Sequence, residues 1–184
     1  MPRVWHDTQQ RGLGFLGTLS GLIASAEVDN LGLIPDFRQE QHLIVASDYG
    51  GEHAAAKWIS YTYLITCHEE AARWVGKSRL LRKKLLPDGR RMAFKRLGDR
   101  VRMRALVPFL NLSNGLRGLL AFFLVQRPIR SLFSAKTLDP TELGYEPLRK
   151  YPAHIAEKLL RITHLLALLI GGISSEGQDL NLGG

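Results

Sequence analysis

The sequence has 184 residues, with 25 Lys+Arg against 17 Asp+Glu and a formal net charge of +8. That length suits one domain over residues 1–184, and the 45% hydrophobic and 23% charged residues exclude an intrinsically disordered chain. The single cysteine, Cys67, excludes a disulfide-stapled secreted scaffold, and the absence of a signal-peptide pattern at the N-terminus predicts a cytoplasmic protein.

Residues 1–40 are predicted to form a helical N-terminal segment. Within it, residues 12–28 are apolar and carry small residues at close intervals. This pattern favours a short helix packed tightly against its neighbours.

Two strands are predicted next. Residues 42–48 form a nearly continuous apolar run that ends at Asp48, which is typical of a buried strand. Gly50 and Gly51 supply a turn. Residues 57–66 are rich in aromatic and β-branched side chains, which favours a second strand paired antiparallel to the first.

The middle of the chain is predicted to be mainly helical. Residues 68–86 have helical spacing, with acidic residues in the first turn and basic residues in the last, which matches the helix dipole. A short strand is predicted over residues 92–97 and a second helix over residues 98–112.

Apolar runs recur towards the C-terminus. Residues 119–125 indicate another buried strand, and residues 153–173 a long core helix whose uncharged part is too short to span a bilayer. The core of the domain is therefore predicted over residues 41–173, with residues 174–184 as a polar tail.

The positive charge is concentrated in one segment. Between Gly76 and Arg104 there are twelve basic and two acidic residues, a charge of +10, whereas the rest of the chain carries −2. Like charge at this density favours a phosphate-binding surface over the alternative of a solvated face. The residues predicted to bind nucleic acid are Arg82, Lys83, Lys84, Arg90, Arg91, Lys95 and Arg96.

Asp48 is the strongest candidate for a catalytic, metal-binding residue. A carboxylate at the end of a buried strand is held by rigid backbone and can bind Mg²⁺ or Mn²⁺, and here it would be the catalytic aspartate. Glu52 and Asp99 are possible further metal ligands. The alternatives are that Asp48 caps the turn and that Asp99 caps the helix that follows it.

The order of these elements, together with Asp48-Tyr49-Gly50-Gly51, resembles a ribonuclease H-like domain. More narrowly, it resembles the group filed as domain of unknown function 3800, in which a first strand ends in Asp-Glu-Ser-Gly. The resemblance covers about residues 40–173, and it implies an α/β fold with a mixed sheet and helices on both faces. It also implies phosphodiester hydrolysis by two cations held between carboxylates. Asp48 is the one carboxylate that matches the pattern, since the strand over residues 119–125 ends without one.

Three functional hypotheses follow. The first is a metal-dependent nuclease, from a mobile element or a defence system, that acts on DNA or RNA. The second is a non-catalytic nucleic-acid-binding module, a truncated or degenerate relative of that fold in which Asp48 is structural. The third is a subunit that docks on a protein partner or a second copy through residues 12–28 and 153–173. None of the three involves a membrane.

Overall fold

The structure is a computed structural model that describes residues 3–7, 14–93, 97–133, 146–175 and 177–183. This part of the chain contains α1 (Phe15–Asp29), β1 (His42–Gly50), β2 (Trp58–Cys67), α2 (His68–Leu85), α3 (Arg100–Asn114), β3 (Gly118–Gln126), α4 (Glu146–Arg149), α5 (Ala153–Ile173) and β4 (Asp179–Gly183). The predicted mixed α/β class is confirmed.

The four strands form one mixed sheet in the order β3-β2-β1-β4. β1 and β2 pair antiparallel, as predicted, and β2 also pairs antiparallel with β3. β4 pairs parallel with β1, with Leu43 opposite Leu180. β1 and β2 are therefore the interior strands, and β3 and β4 lie at the edges.

Two segments differ from the sequence-based prediction. Residues 174–184, interpreted as a polar tail, carry the edge strand β4. Met92 and Ala93, at the start of the predicted strand over residues 92–97, lie in no strand, and residues 94–96 lie outside the described part of the chain. β2 is therefore followed by two helices, α2 and α3, and the described residues between them form no strand.

The core lies on one face of the sheet, beneath α1 and α5. Successive strand residues point to opposite faces, so alternate positions such as Leu43 and Val45 are fully buried. The apolar side of α5, including Leu165 and Leu169, packs on this face, and residues of α1 pack at its border. The helices of the third hypothesis therefore supply core contacts within this chain. No helix of the described residues is both long and apolar enough to cross a membrane.

The opposite face of the sheet is open along β3. Leu120, Phe122 and Leu124 alternate with the core residues of this strand and are 67%, 58% and 53% exposed. Because α1 and α5 both contribute to the same core, these two helices do not give the predicted arrangement of one helix layer on each face.

Candidate nucleic-acid interface

The basic segment folds into a pair of antiparallel helices, α2 and α3. The start of α2 and the end of α3 line a common small cavity, at which Trp74 lies beside Leu112. At the other end, the side chain of Arg102 donates from Nε to the carbonyl of Arg91, at 3.0 Å. The buried residues of α2 and α3 are the small Ser78 and Ala105, respectively. We call α2, α3 and the connection between them the basic hairpin, and we call the connection, residues 86–99, together with the adjoining helix ends, its tip.

Two aspartates brace the tip of the basic hairpin. Asp99 caps α3 by accepting the backbone N–H of Val101 at 2.8 Å, and Arg102 Nη1 donates to its other oxygen at 2.8 Å. Arg90 forms ion pairs with both Asp88 and Asp99. The N–H of Val101, helped by the Arg90 guanidinium, holds the pKa of Asp99 below its usual value.

Arg82 adds a further brace, because its Nη2 donates to the carbonyl of Gly89 at 3.2 Å. Hydrogen bonds from the side chain and backbone of Arg90 lower the pKa of Asp88 as well. Both aspartates of the basic segment are therefore ionised at neutral pH and already used within the tip.

Arg73, near the start of α2, pairs with Glu70 at 2.8 Å, and the remaining described cations of the basic hairpin are free to meet a ligand. Each is exposed, and none forms an ion pair with a residue that the structure describes. These side chains are Lys77, Arg79, Lys83, Lys84, Arg91, Arg100 and Arg104.

The structure thus divides the predicted nucleic-acid-binding residues into two groups. Lys83, Lys84 and Arg91 are exposed and free of ion pairs among the described residues, whereas Arg82 and Arg90 bind groups of the tip itself. Lys95 and Arg96 lie outside the described residues. Four further cations belong to the same free group: Lys77, Arg79, Arg100 and Arg104. In the sequence they belong to the basic segment, but nothing there singles them out as nucleic-acid-binding residues.

Asp48 lies on β1 with an exposed side chain, opposite Thr62 of β2. Its position alternates with the core residues, so it belongs to the open face of the sheet. Asp179, at the start of β4, pairs instead with His42 at 3.2 Å. Six residues of strand separate His42 from Asp48, about 20 Å at the usual rise per residue. Asp179 therefore does not meet Asp48.

The other predicted metal ligands are engaged elsewhere. Glu52 forms an ion pair with Lys158 of α5, and Asp99 caps α3 at the tip of the basic hairpin. Asp48, Glu52 and Asp99 thus lie in three different environments. The described residues do not assemble them into one metal site.

A different group of ligand-type side chains lies at the junction of β2 and α2. Atoms of Glu40, Cys67 and Glu69 lie within 4.8 Å of one another, the one such group among the described residues. Burial raises the pKa of the Cys67 thiol, and Glu40 already pairs with Arg117 at 3.0 Å. A metal needs the thiolate, so this environment favours a neutral buried cysteine.

Comparisons with known proteins add no relative. No protein-family model matches the sequence, and no curated protein or solved structure matches it significantly. Functional inference for this chain therefore depends on the basic hairpin and on the position of Asp48.

Proposed function

We propose that this protein binds nucleic acid through the exposed cations of the basic hairpin. The observation that carries the proposal is the division of charge at the tip. The two aspartates, Asp88 and Asp99, form ion pairs with Arg90 and Arg102. Seven other cations of the basic hairpin have no ion pair among the described residues.

The hairpin has dimensions that suit a polyanion. An α-helix rises 1.5 Å per residue, so the free cations of α2, from Lys77 to Lys84, extend about 11 Å along the helix, a length comparable to about three base pairs of duplex. Unpaired like charges repel one another across such a surface. A row of phosphates relieves that repulsion and releases condensed counterions, which makes binding sensitive to salt.

Salt dependence tests this proposal. We expect Lys83→Ala/Lys84→Ala to weaken binding to labelled single-stranded DNA, duplex DNA or RNA. The slope of log K against log [salt] should become shallower by about 1.4 to 1.8, since each of the two lost phosphate contacts contributes about 0.7 to 0.9. The measurement is fluorescence anisotropy over a range of salt concentrations.

The matched control removes two cations elsewhere. Lys57 and Lys150 are exposed and lie outside the basic hairpin, so Lys57→Ala/Lys150→Ala should leave the slope nearly unchanged. Equal effects of the two double variants would contradict a located interface and indicate attraction by net charge alone.

A second candidate function is metal-dependent phosphodiester hydrolysis at Asp48. What favours it is the place of this carboxylate in the sheet: on an interior strand, beside an antiparallel and a parallel neighbour, and on the open face. This mixed arrangement also supports the ribonuclease H-like relationship. Among the described residues, however, Asp48 belongs to no group of three ligand-type side chains close enough to hold a metal ion. The residues do not fit a cation pair, so we assign no catalytic step to them.

Cleavage assays test this second candidate. If Asp48 is catalytic, the wild-type chain cleaves labelled DNA or RNA with Mg²⁺ or Mn²⁺, and Asp48→Asn loses that activity with unchanged nucleic-acid affinity. The substitution is nearly isosteric at an exposed strand position, so the fold should persist. Cleavage that survives Asp48→Asn would contradict a catalytic role for Asp48, and binding without any cleavage would leave the protein as a nucleic-acid-binding module.

A further inference from the structure

A second concave site lies on the other side of the molecule from the open sheet face. It is a cavity of about 460 Å³ between β2, residues 127–130 and the first half of α5. Pockets that hold small organic ligands in proteins have volumes of about 300 to 1,000 Å³. The cavity is therefore large enough for a small molecule or for one unit of a polymer.

A buried ion pair forms part of its wall. Glu157 and Arg161, one turn apart on α5, are 4% and 3% exposed, and Arg161 Nε donates to Glu157 Oε1 at 2.7 Å. The same oxygen accepts the backbone N–H of Leu132 at 2.9 Å. Glu157 Oε2 is also buried but has no hydrogen-bond partner among the described residues.

A buried carboxylate oxygen without a donor is unusual, because losing water costs free energy that a hydrogen bond normally recovers. Glu157 belongs to the lining of the cavity. Because Oε2 is closed to solvent in the structure, a ligand with an N–H or O–H group can supply the missing donor once the carboxylate turns towards the cavity.

Positive charge dominates the rest of the lining. Lys158 is paired with Glu52, and Arg127 donates to the carbonyl of His53. Arg130 is exposed and has no ion pair with a described residue. It is thus the cation available to an anionic group at the mouth of the cavity.

Between these polar groups the lining is apolar. Ile59 of β2, Ile129 and Ile155 of α5 line the cavity together with Tyr61 and provide its aliphatic and aromatic surface. Such a surface accepts a planar ring. A ligand that satisfies the whole cavity therefore combines a ring, a hydrogen-bond donor and an anion.

We propose that this cavity binds a nucleoside monophosphate group, with the base on the isoleucines, a base N–H directed to Glu157 and the phosphate at Arg130. The choice of a nucleotide among organic anions rests on the proposed nucleic-acid function. The group can come from a free nucleotide or from the phosphorylated end of a strand.

Calorimetric titration of the full chain with adenosine 5′-monophosphate tests the proposal. We expect saturable binding with a Kd below about 1 mM. Adenosine lacks the phosphate, and inorganic phosphate lacks both the ring and the base N–H. Each should therefore bind at least about tenfold more weakly, since a charge-assisted hydrogen bond alone contributes about that factor. An oligonucleotide with a 5′-phosphate that competes, where its 5′-hydroxyl counterpart does not, identifies a strand end as the source.

Two variants locate the site. Arg130→Ala should weaken the binding of adenosine 5′-monophosphate about tenfold. Ala153→Trp places a large ring in the cavity from the first turn of α5 and should abolish binding, with the circular dichroism spectrum and Tm confirming that the chain is folded.

The control separates this site from the basic hairpin. Arg104→Ala also removes one exposed arginine, but outside the cavity, and should reduce oligonucleotide affinity while leaving mononucleotide affinity unchanged. Absence of saturable binding, or binding unaffected by Ala153→Trp, would overturn the cavity proposal. Either result leaves the salt-dependence test of the hairpin intact.

Discussion

Replacing Arg161 with methionine is expected to lower the free energy of unfolding by about 3 to 5 kcal/mol. The side chain of Arg161 is 3% exposed. Besides forming the ion pair with Glu157, it donates a hydrogen bond from Nη2 to the carbonyl of Ile129 at 2.9 Å. Without it, the Glu157 carboxylate stays buried with no compensating charge. Urea denaturation followed by circular dichroism measures the loss.

Two further variants show whether the uncompensated charge is the cause. Glu157→Gln/Arg161→Met removes both charges and keeps a carbonyl acceptor for the N–H of Leu132, so it should be less destabilised than Arg161→Met alone. Lys158→Met breaks the exposed pair with Glu52 on the same helix and should cost at most about 1 kcal/mol. A double variant that is at least as destabilised as Arg161→Met alone would contradict this explanation.

Alanine at Gly172 is expected to destabilise the protein by about 1 to 3 kcal/mol. A Cβ at this position would lie 2.3 Å from two ring atoms of Trp5, closer than real contacts allow. Trp5 is 5% exposed and cannot retreat easily. Its indole N–H donates to Ser20 Oγ at 3.1 Å, and its backbone N–H donates to Glu27 Oε2 at 3.1 Å.

The neighbouring glycine supplies a control of opposite sign. Gly171 is exposed, and a Cβ there would meet no atom within 4 Å. Gly171→Ala should therefore stabilise the helix by up to about 1 kcal/mol, through the lower backbone entropy of alanine in the unfolded chain. Chemical denaturation of the two variants side by side gives the comparison. Equal effects would mean that Trp5 does not depend on the absence of a side chain at Gly172.

Strong local patterns in the sequence were sufficient to predict several helices and strands. Helix α5 spans the predicted residues 153–173, because Pro152 precedes a long apolar run with helical spacing. β4 was missed. Its residues Asp179, Leu180, Asn181 and Leu182 do alternate between polar and apolar types, but so short an alternation becomes a strand only through its pairing with β1.

The candidate interface was only partly visible in the sequence. Composition located the basic segment, and the place of Asp99 before a helix suggested its role as a cap, which the structure confirms. Which cations remain free depended on the geometry of the tip, where Asp88 and Asp99 engage Arg90. No spacing rule links these residues across a turn. The burial of the Glu157–Arg161 ion pair could likewise not be predicted from the sequence, because it results from tertiary packing and a charge pair one turn apart on a helix is usually solvated.

The parallel pairing of β4 with β1 has a consequence for the newly synthesised chain. β2 follows β1 at short range and β3 is synthesised before α5, so both antiparallel ladders can form before β4, which is separated from β1 by most of the sequence. Until residues 179–183 have left the ribosome, β1 is an edge strand with unpaired N–H and C=O groups along residues 42–46. Such an edge is a template for other chains. The nascent protein thus passes through a stage in which an interior strand of the finished sheet is open to association with other chains.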